Sequence, residues 1–248
     1  MDFAGRDGVR LAYQEIGAGQ PLILIHGHQE RASVWVDSGL AARLARRGYR
    51  VIMPDLRAHG DSARPHESAA YPPDVFTDDG LALVDHLGLA DYCLAGYSLG
   101  GRIVIRMLVR GATPRRAAVS GQGLDSLLHG ADPDRLKWYR EFFSACGTVT
   151  FAPGSDEKET EDWLRSMDGD PKALLLALDS RVNTTPAELA SVTVPTLVLT
   201  GAEEPASRTA QSLADALQHG RYVEVPGDHF TAKMSPEFWE ALTRFLTE

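Results

Sequence analysis

The sequence predicts an α/β protein: a doubly wound, mostly parallel sheet interrupted by a helical insertion. Two observations carry that reading. Short, continuously apolar runs alternate with segments of helical period, as in strands buried on both faces by crossover helices. The alternation then lapses over residues 125–188, where helical spacing continues without a convincing strand, and resumes afterwards.

Taken in order, the N-terminus reads as a hairpin whose second strand is Val9–Ile16. Strands follow at Pro21–His26, Tyr49–Pro54, Asp91–Gly96, Arg116–Ser120, Thr196–Thr200 and Arg221–Val225. Between them the spacing predicts helices over Trp35–Arg47, Pro73–Leu87, Ser98–Val109, Ala206–Gln218 and Pro236–Leu246. The insertion has helical spacing at Leu136–Phe143, Trp163–Met167 and Pro171–Leu178, divided by the loop-like Ala152–Asp156. The expected organisation is a core of residues 1–124 and 189–248 with a cap of residues 125–188 over the carboxyl edge of the sheet. Ligands of open α/β sheets bind at that edge, so the residues just after each strand are the ones to read for chemistry.

Composition narrows the function. The 248 residues are 44% apolar and 24% charged, ordinary for a globular chain. A net charge of −9 argues against nucleic acid or an anionic membrane as partner, because both would be repelled. Apolar stretches such as Pro21–Ile25 and Ala173–Leu178 are too short to cross a bilayer. The first residues lack the basic start and apolar block of a secretory signal, so a cytoplasmic location is expected. Cys93 and Cys146 make no disulfide framework, and Cys93 in an apolar run reads as a small buried hydrophobe. A small-molecule substrate is the expected partner, with the oligomeric state left open.

The strongest local signal is Gly96–Tyr97–Ser98–Leu99–Gly100–Gly101, between an apolar strand and an apolar-rich helix. A serine in so tight a turn needs glycine two residues before and after it to avoid clashes. The turn exposes the hydroxyl, and the helix that follows directs its positive end at developing negative charge. Around it stand Leu24–Ile25–His26–Gly27–His28, Met53–Pro54–Asp55–Leu56–Arg57–Ala58–His59–Gly60–Asp61–Ser62, Val194–Gly201 and Pro226–Gly227–Asp228–His229–Phe230.

In that order and spacing, these motifs make nearly the whole chain resemble the α/β-hydrolase superfamily. The resemblance implies Ser98 as nucleophile and His229 as base, in the chain order nucleophile, acid, histidine. At the acid position Gly201–Ala202–Glu203–Glu204–Pro205 departs from the usual aspartate and offers Glu204. Asp125, after the strand that follows the elbow helix, and the adjacent Glu203 are the alternatives. The backbone N–H groups of Leu99 and His28 are the implied oxyanion donors, and the His28 side chain is expected to face the cavity mouth, with contact to substrate as the alternative. His26, His28, Asp55, His59 and Asp61 match no trusted metal spacing, so neither metal nor cofactor is expected. Asp55, Arg57 and Ser62 read instead as a polar network, and Asp156–Asp162 as a solvated face.

The expected chemistry is hydrolysis of an ester or thioester through an acyl-enzyme. Serine at the elbow disfavours dehalogenase and epoxide-hydrolase chemistry, which needs a carboxylate there. A carbon–carbon bond hydrolase or lyase-type enzyme and a non-catalytic binding module remain as alternatives. The cap stripe Trp138, Tyr139, Phe142 and Phe143, in i, i+4 pairs, suggests an apolar acyl or aryl group.

Overall fold

The computed structural model describes residues 1–248. Its strands are β1 (Asp2–Ala4), β2 (Arg10–Ile16), β3 (Gln20–Ile25), β4 (Tyr49–Pro54), β5 (Cys93–Tyr97), β6 (Arg116–Ser120), β7 (Thr196–Gly201) and β8 (Gly220–Val225). They form one sheet in the order β1-β2-β4-β3-β5-β6-β7-β8. From β4 to β8 every pairing is parallel, and β1 and β2 add an antiparallel edge.

Each strand's side chains alternate between two apolar layers. Leu22 and Leu24 of β3 pack with Trp35, Leu40, Phe238 and Leu242 on one face. Ile23 and Ile25 face the other way, toward Phe76, Leu83, Ile103 and Val104. Two covered faces are why the strands read as unbroken apolar runs. The helices on the first face are α1 (Ser33–Asp37), α2 (Leu40–Ala45) and α11 (Pro236–Thr247). On the second lie α3 (Val75–His86), α4 (Leu99–Val109) and α10 (Ser207–Asp215). The single helix expected over Trp35–Arg47 is two, because Gly39 turns left-handed at φ 79° between α1 and α2.

Between β6 and β7 the chain is helical, with no strand: α5 (Leu124–His129), α6 (Pro133–Ala145), α7 (Asp156–Ser166), α8 (Pro171–Ala177) and α9 (Pro186–Ala190). Polar caps start α6 to α9: Asp132, Ser155, Asp170 and Thr185 each accept from backbone N–H groups of the first turn. The acidic run Asp156–Asp162 is the first part of α7, where Lys158 pairs with Glu161 and Asp162. Trp138 donates to Glu157 at 3.1 Å and joins α6 to α7. No helix is long and apolar enough to cross a membrane.

The sheet order positions the site. From β3 the chain crosses to β4 on one side and later to β5 on the other. The carboxyl ends of β3 and β5 therefore lie side by side, with Ile25 opposite Gly96 in register. The loops leaving them diverge to opposite faces and open a crevice between them.

Candidate active site

Ser98 leaves β5 in a strained conformation, φ 55° and ψ −115°. The close packing that holds it there dictates its neighbours. A Cβ on Gly96 would lie 2.3 Å from the Gly100 backbone, and one on Gly100 would lie 2.3 Å from the Ile25 carbonyl. The Ser98 N–H donates to the Ser120 carbonyl at 2.8 Å, and Gln122 Nε2 donates to the Ser98 carbonyl at 2.6 Å. The elbow is thereby pinned to the strand next door.

His229 lies on the loop after β8, where Asp228 Oδ1 accepts from the N–H groups of Phe230 and Thr231. Tyr97, just before the elbow, donates its hydroxyl to the His229 carbonyl at 2.8 Å. The ring bridges two partners: Nε2 is 3.0 Å from Ser98 Oγ, and Nδ1 is 2.6 Å from Glu204 Oε2. A carboxylate only accepts, so Nδ1 carries the proton and Nε2 presents its lone pair to the serine hydroxyl. Glu204 is fully buried while the His229 side chain is one-third exposed.

The extra methylene of glutamate is absorbed locally. Glu204 Oε1 accepts the Gly201 N–H at 2.7 Å, so the side chain folds back over the end of its own strand before reaching the histidine. The alternatives lie elsewhere. Glu203, the next residue, is exposed, and its N–H donates to the Gly227 carbonyl. Asp125 is exposed on α5, where its N–H approaches Thr209 Oγ1, and its carboxylate does not approach His229.

Leu99 begins α4, so its N–H has no helical acceptor, and the His28 N–H has no acceptor in the chain either. A Cβ on Gly27 would come within 3.3 Å of Ser98 Cβ, which places the His26–Glu30 loop directly against the nucleophile. The His28 side chain departs from the expectation that it faces the cavity mouth. Its ring packs edge-on between His59, Tyr139 and Phe143 at 5.6–5.9 Å, with both nitrogens closed off from solvent. The i, i+4 aromatics of α6 are split accordingly: Tyr139 and Phe143 stack and meet His28, while Trp138 and Phe142 stack on the next row.

His26 and the Asp55 carboxylate of these loops are used internally. His26 Nε2 accepts the Leu56 N–H, and Asp55 accepts the N–H groups of Ala32 and Asp61. Ser62 links the Asp55 carbonyl to the Ala12 N–H. Buried Arg57 forks onto Asp79 and also binds Asp7. No group of three or more His, Cys, Asp or Glu side chains is arranged to hold a metal ion.

Sequence reasoning missed an ion pair beneath the site. Lys233, just beyond the His229 loop, pairs with Glu30, and both are buried. Glu30 Oε2 also accepts the Gly27 N–H at 2.9 Å. The pair thus ties the candidate oxyanion loop to the histidine loop. Nothing local announces it, because the partners are 203 residues apart. Replacing Lys233 with Met strands the Glu30 charge in the interior and is expected to cost about 3–5 kcal/mol. Denaturant unfolding reads this directly, and an unchanged midpoint would contradict the assigned role.

Burial also holds His26, His28 and His59 below the ordinary imidazole range, His59 down to about 3. The unfolded chain therefore binds protons that the folded one refuses. The stabilisation is complete above the unfolded value of about 6.5 and is lost as pH falls from there toward 3, at up to about 1.4 kcal/mol per pH unit for each histidine. Unfolding midpoints at pH 7, 6 and 5 should fall accordingly. His59→Phe should flatten the fall, whereas an unchanged pH slope would refute the account.

A doubly wound sheet with a serine elbow and a histidine at the matching edge defines a class, and the sequence comparison agrees with it. The model of the Alpha/beta hydrolase family matches residues 22–240, and the chain belongs to that family. It is 28% identical to the non-heme haloperoxidase of Rhodococcus erythropolis, across 89% of each chain. It is 34% identical to the 2-hydroxymuconate semialdehyde hydrolase of Pseudomonas sp. (strain CF600), over 42% of this chain and 36% of that one. Among solved structures, an esterase from Exiguobacterium antarcticum superposes with a TM-score of 0.82 at 20% identity, covering 100% of this chain and 99% of its own.

Proposed function

We propose that the protein is a serine hydrolase that cleaves an ester or thioester of a small, largely apolar acyl group through an acyl-enzyme. The observation that carries this reading is the continuous hydrogen-bonded line from Glu204 through His229 to Ser98. In the first step Ser98 Oγ attacks the carbonyl carbon as His229 Nε2 takes its proton, and Glu204 stabilises the imidazolium through Nδ1. The carbonyl oxygen, now negative, is met by the Leu99 and His28 N–H groups. His229 returns the proton to the leaving alcohol or thiol, and a water repeats the sequence to release the acid.

The helices α5–α9 act in this reading as the lid. Tyr139 and Phe143 turn apolar surface toward His28, and Phe230 beside His229 is an exposed apolar rim. Such a lining suits an alkyl or aryl acyl group. The esterase of like fold and the family membership support hydrolysis as the chemistry.

Fluorophosphonate labelling tests the nucleophile. Wild type should be labelled and Ser98→Ala should not. A series of p-nitrophenyl and thioester substrates of increasing acyl length then reads the pocket. Absence of both labelling and turnover would refute the enzymatic reading, and a preference for the shortest acyl groups would refute the apolar one.

A further inference from the structure

One cation beside the site forms no ion pair. Arg181 leaves the lid just after α8 and lines a cavity together with Leu99, Ile103, Phe76 and Arg102. Its Nε is closed off from solvent and has no hydrogen-bond partner. The carboxylates nearest it are committed elsewhere: Asp74, on the same cavity, to Arg106 and Arg110, and Asp179 to Arg140. The second guanidinium, Arg102, is satisfied by the carbonyls of Val182 and Ser126. Arg181 alone is left over. Its charge is felt at the His28 and His59 rings and helps to hold both neutral. Leu99, the residue after the nucleophile, lines the same cavity as the guanidinium.

Arg181 is half-buried, and an Nε turned in from water with no partner is costly, so a fold gains nothing from keeping one unless something arrives to pair with it. We propose that the acyl group of the substrate ends in a carboxylate, and that Arg181 receives it. The fork of a guanidinium matches the two oxygens of a carboxylate. One unpaired charge suits a monoanion better than a phosphate dianion. The substrate class becomes an apolar acyl chain with an acidic far end: a half-ester or half-thioester of a dicarboxylic acid. Hydrolysis then releases a dicarboxylate and an alcohol or thiol, with water as the only co-reactant. This deepens the proposed function and rests on it for the reaction, though not for the binding of the anion.

The test compares p-nitrophenyl hydrogen adipate with p-nitrophenyl hexanoate, two esters of equal chain length that differ in the terminal carboxylate. In wild type the ratio of their kcat/KM values should favour the acid by about 10–100-fold, the worth of a charge-assisted contact. In Arg181→Leu the ratio should collapse to about 1, with Arg181→Lys between. Because an unpaired charge is being removed, the Leu variant should melt at or above the wild-type temperature. A wild-type ratio of 1 or less, or a ratio unmoved in Arg181→Leu, overturns the proposal. Should neither ester be turned over, the esterase reading fails by itself, and calorimetric binding of adipate to Ser98→Ala decides the subsite. Binding weakened at least about tenfold by adding Arg181→Leu upholds it, and no Arg181-dependent binding overturns it.

Discussion

Ser98→Ala is expected to lower kcat/KM for an activated ester by about 10⁵–10⁶-fold, leaving the fold intact. On the proposed mechanism the loss is large because the hydroxyl oxygen forms the covalent bond, and His229 has nothing to deprotonate without it. Thermal stability should barely change. Alanine must occupy the same φ of 55°, and the contacts that hold the elbow, from Ser98 N–H to Ser120 and from Gln122 to the Ser98 carbonyl, belong to the backbone. Residual activity within about tenfold of wild type would mean that another group performs the attack.

Glu204→Gln should cost about 10⁴-fold in kcat while preserving shape. The Gly201 N–H needs an acceptor and would take the amide oxygen, which turns the NH₂ toward His229 Nδ1. The ring must then present a lone pair at Nδ1 and carry its proton on Nε2, the nitrogen facing Ser98, where it can no longer accept. Glu204→Asp is too short to reach both Gly201 and His229 and should fall by about 10–100-fold. Asp125→Asn should stay within about twofold, since Asp125 is exposed and its carboxylate does not approach His229. Steady-state kinetics on one activated ester settle all three. A near-normal Glu204→Gln together with a crippled Asp125→Asn would reverse the assignment of the acid.

How much of the site could be read beforehand depended on how local its signals are. Ser98 was legible because the glycines around it are forced by contacts within one turn and the strand beside it. His229 was legible because it follows a strand at the expected edge in the order that the resemblance to the family implies. Glu204 was a choice among carboxylates, and burial decided it: Glu204 is enclosed while Glu203 and Asp125 face solvent. The break at Gly39 escaped the helical pattern because the apolar spacing continues through it, and only the left-handed φ interrupts the helix.

By itself the sequence determined the alternation of strands and helices and the glycine-flanked turn at Ser98, which rest on periodicity and on steric limits within a few residues. The order of serine, acid and histidine came from the resemblance to the family. The tertiary structure alone decided which carboxylate meets His229, where the His28 ring goes, that Glu30 and Lys233 meet beneath the site, and that Arg181 is left unpaired. Each of those depends on the separation of atoms far apart in the chain and on how much water lies between them. No local pattern encodes those quantities, because charge and hydrogen-bond energies are set only once the surroundings have closed.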